Sequence, residues 1–360
     1  MAQQGTHPDF TGQVIHVGID TGKRNWDVEI LVNEVFWRRY SMDPSPEQLV
    51  TYLHRHFPGA RYRSVYEAGY CGFWIHERLV ALGVDNIVIN PADVPTSDKE
   101  RVHKNNRVDA RKLVWNLARG SLNGLYIPTR RMQEDRSLVR LRTMTVQKQT
   151  RCKNQIKALL SYYGYRMPEG ESERYWSRAY IRWIESLQLT ERSGQHTLRM
   201  LLNELMFLRS QILEVTHRIR ELSRDPHYVR NVQLLCGVSG IGMVTSMVLL
   251  TELADIVRFR TPDQLASFVG LVPGEHSTGD ETHTTGLTHR RNPFLRHMLI
   301  EAAWIAIRTD AALMLAYTTL SKRMKKTEAI VRIARKLINR IRYVLKTGEA
   351  YVPALVSSRA

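Results

Sequence analysis

The sequence predicts an α/β domain on a mixed sheet, followed by a helical coiled-coil arm and a second, mainly α-helical domain. Three observations carry this. The first 130 residues order as three strands, then helix, strand, helix, strand, helix. Strand signals then vanish from 131 to 228, where two long amphipathic stretches replace them. From 229 to 350 short helices alternate with Gly-rich turns, and 351–360 is a tail. A length of 360 residues suits two or three domains of roughly 100–200 residues each, and 43% hydrophobic residues supply their cores.

The first strand is Val14-Ile15-His16-Val17-Gly18-Ile19-Asp20, which ends on a carboxylate in a tight polar turn before a second strand, Trp26 to Val32. An Asp there is either a turn former or a metal ligand. Phe36 to Tyr40 reads as a third strand, and Pro46 opens a helix through Leu49, Leu53 and Phe57. Arg63 to Glu67 is a strand that again ends on a carboxylate. Ala68 to Gly72 turns into a helix carrying Trp74, Ile75, Leu79 and Leu82. Val84 to Asn90 is a strand stopped by Pro91, and from Val108 a helix places Leu113 and Leu117 on one face. The domain ends near Pro128.

In the arm, one helix is expected from Arg136 to about Tyr163, then a Gly/Pro/Glu loop, Gly164 to Ser172. A second helix spaces Leu201, Leu205, Leu208, Ile212, Val215, Ile219 and Leu222 by fours and threes. That seam suits either a helix pair within one chain or self-association. The third block holds Gly237-Val238-Ser239-Gly240-Ile241-Gly242 between two helices, a helix-hairpin-helix pattern. Backbone N–H groups at Gly240 and Gly242 and the next helix start suit a DNA phosphate; a plain tight turn is the structural alternative. Leu271 to Asn292 reads as a long polar loop, of the kind that is often functional. The last helix, Thr327 to Lys346, puts Ile330, Ile333, Leu337, Ile341 and Val344 on one face.

Charge narrows the partners. Lys plus Arg number 52 against 35 Asp plus Glu, a net charge of +17. Such an excess favours a polyanion. No run of ~18 apolar residues predicts a membrane span, and Met1 to Phe10 lacks the pattern of a signal peptide. Cys71, Cys152 and Cys236 form no CxxC pair and fit buried thiols in a reducing cytoplasm. Nucleic acid is therefore the expected partner. Arg290, Arg291 and Arg296 flank a helix start, and Lys322 to Lys346 carries ten basic residues against Glu328 alone. Arg332, Arg335 and Lys336 on that helix are expected to face phosphate.

Three acids matter together: Asp20, Glu67 and Asp109, the last in the first turn of the helix after Val108. In a ribonuclease-H-like sheet these places converge at one edge. Carboxylates gathered there bind Mg²⁺, which serves phosphodiester transfer, and like charges so grouped call for a cation.

The sequence resembles the DEDD transposases of bacterial insertion sequences, relatives of the Piv-type invertases and bridge-RNA-guided serine recombinases. The resemblance rests on Gly18-Ile19-Asp20, Glu67-Ala68-Gly69-Tyr70, Asn90-Pro91 and Lys104-Asn105-Asn106-Arg107-Val108-Asp109-Ala110-Arg111. It also takes in the Gly237–Gly242 turn, Phe268-Val269-Gly270-Leu271-Val272-Pro273, His276-Ser277-Thr278-Gly279 and the Arg-rich last helix. It implies a RuvC-like first domain whose tetrad, Asp20, Glu67, Asn106 and Asp109, holds Mg²⁺. It further implies a C-terminal transposase domain whose serine hydroxyl attacks DNA and becomes covalently linked. A structured noncoding guide RNA would pair with target and donor double-stranded DNA. The protein would act as a homodimer or homotetramer, in the bacterial cytoplasm and associated with the nucleoid. Two positions depart from the family pattern. Asn106 stands where the third acid is expected, and Thr278 stands at the serine's gap-free place, one residue after Ser277. The nucleophile implied is Thr278, Ser277 or neither, and the primary hydroxyl of Ser277 would attack phosphorus with less crowding. Two other readings follow from the same residues: a recombination-defective RNA- and DNA-binding relative, and a RuvC-like junction nuclease that uses water.

Overall fold

The computed structural model describes residues 9–94, 106–166, 176–278, 281–288 and 291–353, and within these the side chains of 106–108, 274–278 and 281–285 are not described. Two compact units divide the chain, Met1–Ile127 and Pro128–Ala360.

The first unit is a five-stranded mixed sheet of order β3-β2-β1-β4-β5. Its strands are β1 (Val14–Thr21), β2 (Trp26–Val32), β3 (Val35–Met42), β4 (Arg61–Glu67) and β5 (Asp85–Ile89). β1 runs antiparallel to β2 and parallel to β4. Its period-2 alternation sends Ile15, Val17 and Ile19 to one face, where they share a core with Leu49 and Leu53 of α1 (Pro46–His56) and Ile75 and Leu79 of α2 (Trp74–Ala81). Ser45 starts α1 by accepting the Gln48 N–H at 3.2 Å, with Pro46 in the first turn, as helix starts favour. The other face is covered by α3 (Asn106–Ala118), whose Leu113 and Leu117 pack with Val65 and Ile89.

The second unit opens with α4 (Arg130–Tyr162), which starts six residues before the predicted Arg136 because Thr129 caps it, accepting the Met132 N–H at 3.3 Å. It runs antiparallel to α6 (Arg192–Leu222): Arg142 donates to Thr216 at 2.8 Å, while Cys152, ten residues on, donates to the Leu201 carbonyl at 3.3 Å. The predicted seam is largely answered within the chain. Leu205, Leu208 and Ile219 are buried, joined by Leu198 and Leu202, and Leu201, Ile212, Val215 and Leu222 are half-buried. α5 (Arg178–Ser186) adds Tyr180, Ile181 and Ile184 to the distal core. The loop expected at Gly164 to Ser172 lies largely outside the described residues.

At the other end of the pair, Met132, Val139 and Ile219 enter one large core with the remaining helices. These are α7 (Val229–Cys236), α8 (Met243–Leu253), α9 (Pro262–Val269), α10 (Pro293–Thr309), α11 (Ala311–Ser321) and α12 (Lys326–Thr347). All five apolar residues predicted on the last helix are buried there. Two expectations need correction. The polar stretch after Leu271 is not a loop but a two-stranded antiparallel ribbon, β6 (Pro273–Thr278) with β7 (Glu281–Leu287). Its strands, PGEHST and ETHTTGL, show no apolar alternation because a lone ribbon has no sheet face to bury, so the usual strand signal was missing. Cys71 and Cys152 are buried as expected, whereas Cys236 is exposed, since it ends α7 at the mouth of the Gly-rich turn. Among the described residues no helix is long and apolar enough to cross a membrane.

Candidate functional site

The acidic edge of the first unit is built by strand register. β1 and β4 pair in parallel through Gly18↔Val65 and Ile19↔Tyr66, so Asp20 and Glu67 come next, side by side on adjacent strand ends. Adjacent strands lie about 4.8 Å apart. The third acid arrives by helix packing. A Cβ added at Gly18 would overlap the Ala110 carbonyl oxygen and stand 2.8 Å from the Val114 nitrogen, so α3 lies directly on the β1 backbone there. Asp109 precedes Ala110 in the first turn of α3 and is half-buried. Glycine at 18 thus has a packing reason: it lets α3 come close enough to bring Asp109 toward the strand that carries Asp20. Asn106 is the first residue of that helix; its side chain lies outside the described set.

Sequence reasoning missed two further acids on this face. In the β1–β2 ladder Asp27 lies opposite Asp20 and Glu29 opposite Gly18. Glu29 is 2% exposed, and burial pushes its carboxyl above the ordinary carboxylate range against the opposing charges of Arg111 and Arg39. The alternation Asp27-x-Glu29 together with the short turn after Thr21 was the signal available. The Glu67-Ala68-Gly69-Tyr70 segment continues beside the β1 end: Thr21 Oγ1 and Cys71 Sγ are 3.8 Å apart, and Lys23 Nζ lies 5.6 Å from the Tyr70 ring centre. Burial raises the Tyr70 hydroxyl, with Cys71 and the Asp20 charge adding to it. Hard carboxylate oxygens suit a hard cation. Among the described residues, however, no three His, Cys, Asp or Glu side chains are grouped closely enough to hold a metal ion.

In the second unit, Ser277 and Thr278 sit at the far end of β6, in register with Thr282 and Glu281 of β7. The ribbon's base is well fixed. Thr288 N–H donates to the Val272 carbonyl at 3.1 Å, Asn292 N–H to the Phe268 carbonyl at 3.1 Å, and the half-buried Arg296 guanidinium to the Thr288 carbonyl at 3.5 Å. Asn292 also caps α10, its Oδ1 accepting the Phe294 and Leu295 N–H groups at 3.1 Å. Its Nδ2 donates at 2.7 Å to Glu252, which is 3% exposed and takes both arms of Arg140 at 2.6 and 2.8 Å. Sequence reasoning missed this clamp, because a lone Glu in an apolar helix reveals no partner.

Of the residues expected to meet nucleic acid, Gly240 serves packing: its φ is +83°, and an added Cβ would meet the Ala302 carbonyl and stand 3.0 Å from the Ala306 nitrogen of α10. Gly242 is exposed and precedes α8, with open space where a side chain would be. Arg291 is exposed; Arg290 lies outside the described residues. Arg332 and Lys336 are exposed on α12, and Arg335 pairs with Asp263 at 2.6 Å. With the ribbon base these three border an open-sided groove of about 910 Å³. Other cations of α12 point inward. Arg340 pairs at 2.8 Å with the buried Asp310, and Arg342 donates to the carbonyls of Phe259 and Arg260 at 3.2 and 2.8 Å.

One chain thus joins a sheet with acids on adjacent strand ends to a basic helical unit that carries a two-stranded ribbon. Comparison with known sequences gives the family. Residues 17–164 match a transposase family named for its DEDD residues and for the IS110 element, and residues 232–319 match the family described as transposase IS116/IS110/IS902. The Sinorhizobium fredii protein y4rJ, which bears a transposase name, is 30% identical over 302 residues, covering 76% of this chain and 74% of its own. Its fellow y4qE, similarly named, is 31% identical over 66% of this chain, and the transposase for insertion sequence element IS1111A of Coxiella burnetii is 28% identical over 65%. The chain spans 57% and 62% of the lengths of those two relatives. It belongs to the IS116/IS110/IS902 transposase family.

Proposed function

We propose that this chain is the recombinase of an insertion sequence: an RNA-guided, Mg²⁺-dependent enzyme that cleaves and exchanges DNA strands through a hydroxyl–phosphoester link. The observation that carries the reading is the juxtaposition of Asp20 and Glu67 on adjacent strand ends, with α3 seated on Gly18 to bring Asp109 near. That is the edge a RuvC-like domain uses. Asp20, Glu67 and Asp109 would hold the metal together with Asn106, whose amide oxygen can coordinate but adds no charge. Bound there, Mg²⁺ supplies charge stabilisation to the phosphoryl oxygens.

The attacking group is Ser277 or Thr278 at the ribbon end. Its oxygen forms a bond to phosphorus as the bond from phosphorus to one bridging sugar oxygen breaks. The hydroxyl proton leaves to solvent, and the DNA keeps a free sugar hydroxyl. The net charge of +17 and the exposed cations Arg291, Arg332 and Lys336 suit phosphate backbones. Base choice would lie with a structured guide RNA paired to donor and target duplexes, and the active assembly would be a homodimer or homotetramer working on DNA in the cytoplasm.

The test is to trap a protein–DNA adduct from the full chain with Mg²⁺ and copurified RNA on donor DNA. Ser277→Ala or Thr278→Ala should abolish the adduct. An adduct that survives both changes together removes the nucleophile assignment, and preparations free of RNA that still join DNA remove the guide. Asn106 favours one other reading, a recombination-defective relative that still binds RNA and DNA; such a protein forms no adduct with any divalent metal.

A further inference from the structure

The groove between α12 and the base of the β6–β7 ribbon has a composition that neither a plain phosphate surface nor a protein core explains. One wall is apolar: Leu271, Pro273 and Leu287 from the ribbon base face Val331 of the helix. The other side carries Arg332, Arg335 and Lys336, spaced three and four apart and so on one helix face, with Glu328 as the one acid of the lining beside Thr327 and Asn339. Two of the three cations are exposed, and the third is held by Asp263, itself 81% exposed. A surface pair of this kind contributes little, so phosphate can displace Asp263 readily. At about 910 Å³ the groove falls at the upper end of ordinary ligand sites, roughly 300–1,000 Å³.

Duplex DNA offers a protein its phosphates and the edges of stacked bases; it has no free apolar face to lay on Pro273 and Leu287. An unpaired strand has both parts, charged phosphates and exposed base and sugar faces. We propose that this groove seats an unpaired stretch of polynucleotide, with its phosphates on Arg332, Lys336 and Arg335 and its bases against the apolar ribbon base. The inference rests on the recombinase reading for its meaning, because it places an opened strand at the foot of the ribbon whose tip carries Ser277 and Thr278. Single-stranded DNA and RNA share the chemistry.

Gly286 makes the idea testable. It lines the groove, lies outside the left-handed region, and an added Cβ there meets nothing. Gly286→Leu therefore plugs the groove while leaving the fold and the charges alone. Full-length protein in Mg²⁺-free buffer is titrated into labelled 12-residue single-stranded DNA, single-stranded RNA and a duplex of the same sequence. Arg332→Ala with Lys336→Ala should weaken single-strand binding about tenfold and flatten its salt dependence by about 1.4, because each phosphate neutralised on a single strand accounts for ~0.7 of the slope. Gly286→Leu should weaken it about tenfold with the salt dependence unchanged, and leave the duplex untouched. Whichever strand loses affinity is the occupant. If neither does, or if the duplex loses as much, the proposal is wrong. Because cleavage plays no part, a protein that passes this test yet forms no DNA adduct fails only as a recombinase.

Discussion

Replacing Gly18 by Ala isolates the packing of α3 on β1. The added methyl would overlap the Ala110 carbonyl oxygen and stand 2.8 and 2.9 Å from the Val114 nitrogen and Cβ, where real Cβ atoms essentially never approach within 3.0 Å. Two of those atoms are α3 backbone, so no side-chain rotation relieves the clash. The helix must withdraw by about half an ångström or more, and overpacking of this kind costs about 1–3 kcal/mol. For a unit of this size that lowers its melting temperature by roughly 4–20 °C. The withdrawal also carries Asp109 away from Asp20. A displacement of ~1 Å can cost about a hundredfold in rate, so the proposed Mg²⁺-dependent strand cleavage should fall ten- to a hundredfold at temperatures where the variant is fully folded. Gly69→Ala, whose nearest neighbouring atom is 3.9 Å away on Glu67, is the control. Thermal unfolding and single-turnover cleavage of both variants decide the matter. Unchanged melting and cleavage in Gly18→Ala would mean that α3 does not seat on β1 as described.

Three other substitutions probe separate links. Asn106→Asp restores a charge to the proposed metal set and should lower the Mg²⁺ concentration for half-maximal cleavage about tenfold; an unchanged Mg²⁺ titration would take residue 106 out of the site. Glu252→Ala removes the acceptor shared by Arg140 and Asn292. Breaking a buried pair costs about 3–5 kcal/mol, less here because Arg140 can reach water, so a melting drop of roughly 5–10 °C is expected in the second unit. Cleavage should fall more than that loss explains, since Asn292 ties the ribbon to α10; retained cleavage would show that the ribbon does not need the clamp. Asp310 opposes burial with hydrogen bonds from Tyr351 and the Leu313 N–H and with the charge of Arg340, and its carboxyl stays below the ordinary 3.8. A depressed carboxyl stabilises the fold above its unfolded value and loses that contribution as the pH falls through the folded one. Acid unfolding of Asp310→Asn should therefore be flatter than wild type below about pH 4, and parallel curves would refute it.

The sheet of the first unit was legible because its strands alternate with helices and end on Gly, Pro or an acid, and because Ile15, Val17 and Ile19 keep strict period two. Asp20, Glu67 and Asp109 were legible for the same reason: strand ends and a helix start are local features. What escaped was cross-strand and tertiary. Asp27 and Glu29 acquire meaning only from the register with Asp20 and Gly18. Glu252 looks like a misplaced acid in MVTSMVLLTEL until Arg140, more than a hundred residues earlier, is placed on it. The ribbon escaped because its pairing rests on backbone hydrogen bonds, which leave no mark on hydropathy. The packing role of Gly240 escaped as well, because it turns on α10, some sixty residues later.

Charge is the property most easily misread from composition, and α12 shows why. The segment from Lys322 to Lys346, which runs from the end of α11 into α12, holds ten cations and one acid, which alone suggests a uniform polyanion-binding surface. The fold divides them. Arg340 is committed to Asp310, which caps α11 and takes the Tyr351 hydroxyl at 2.6 Å, so this cation helps hold the segment that follows α12. Arg342 is committed to two carbonyls that leave the 3₁₀ turn before α9. Neither can be given to phosphate without unpairing a buried or half-buried partner. Arg332 and Lys336 carry no such obligation among the described hydrogen bonds and ion pairs, and they lie where the helix faces the ribbon base. An alanine scan of α12 should thus separate into two kinds of loss: stability at Arg340 and Arg342, and salt-dependent affinity at Arg332 and Lys336.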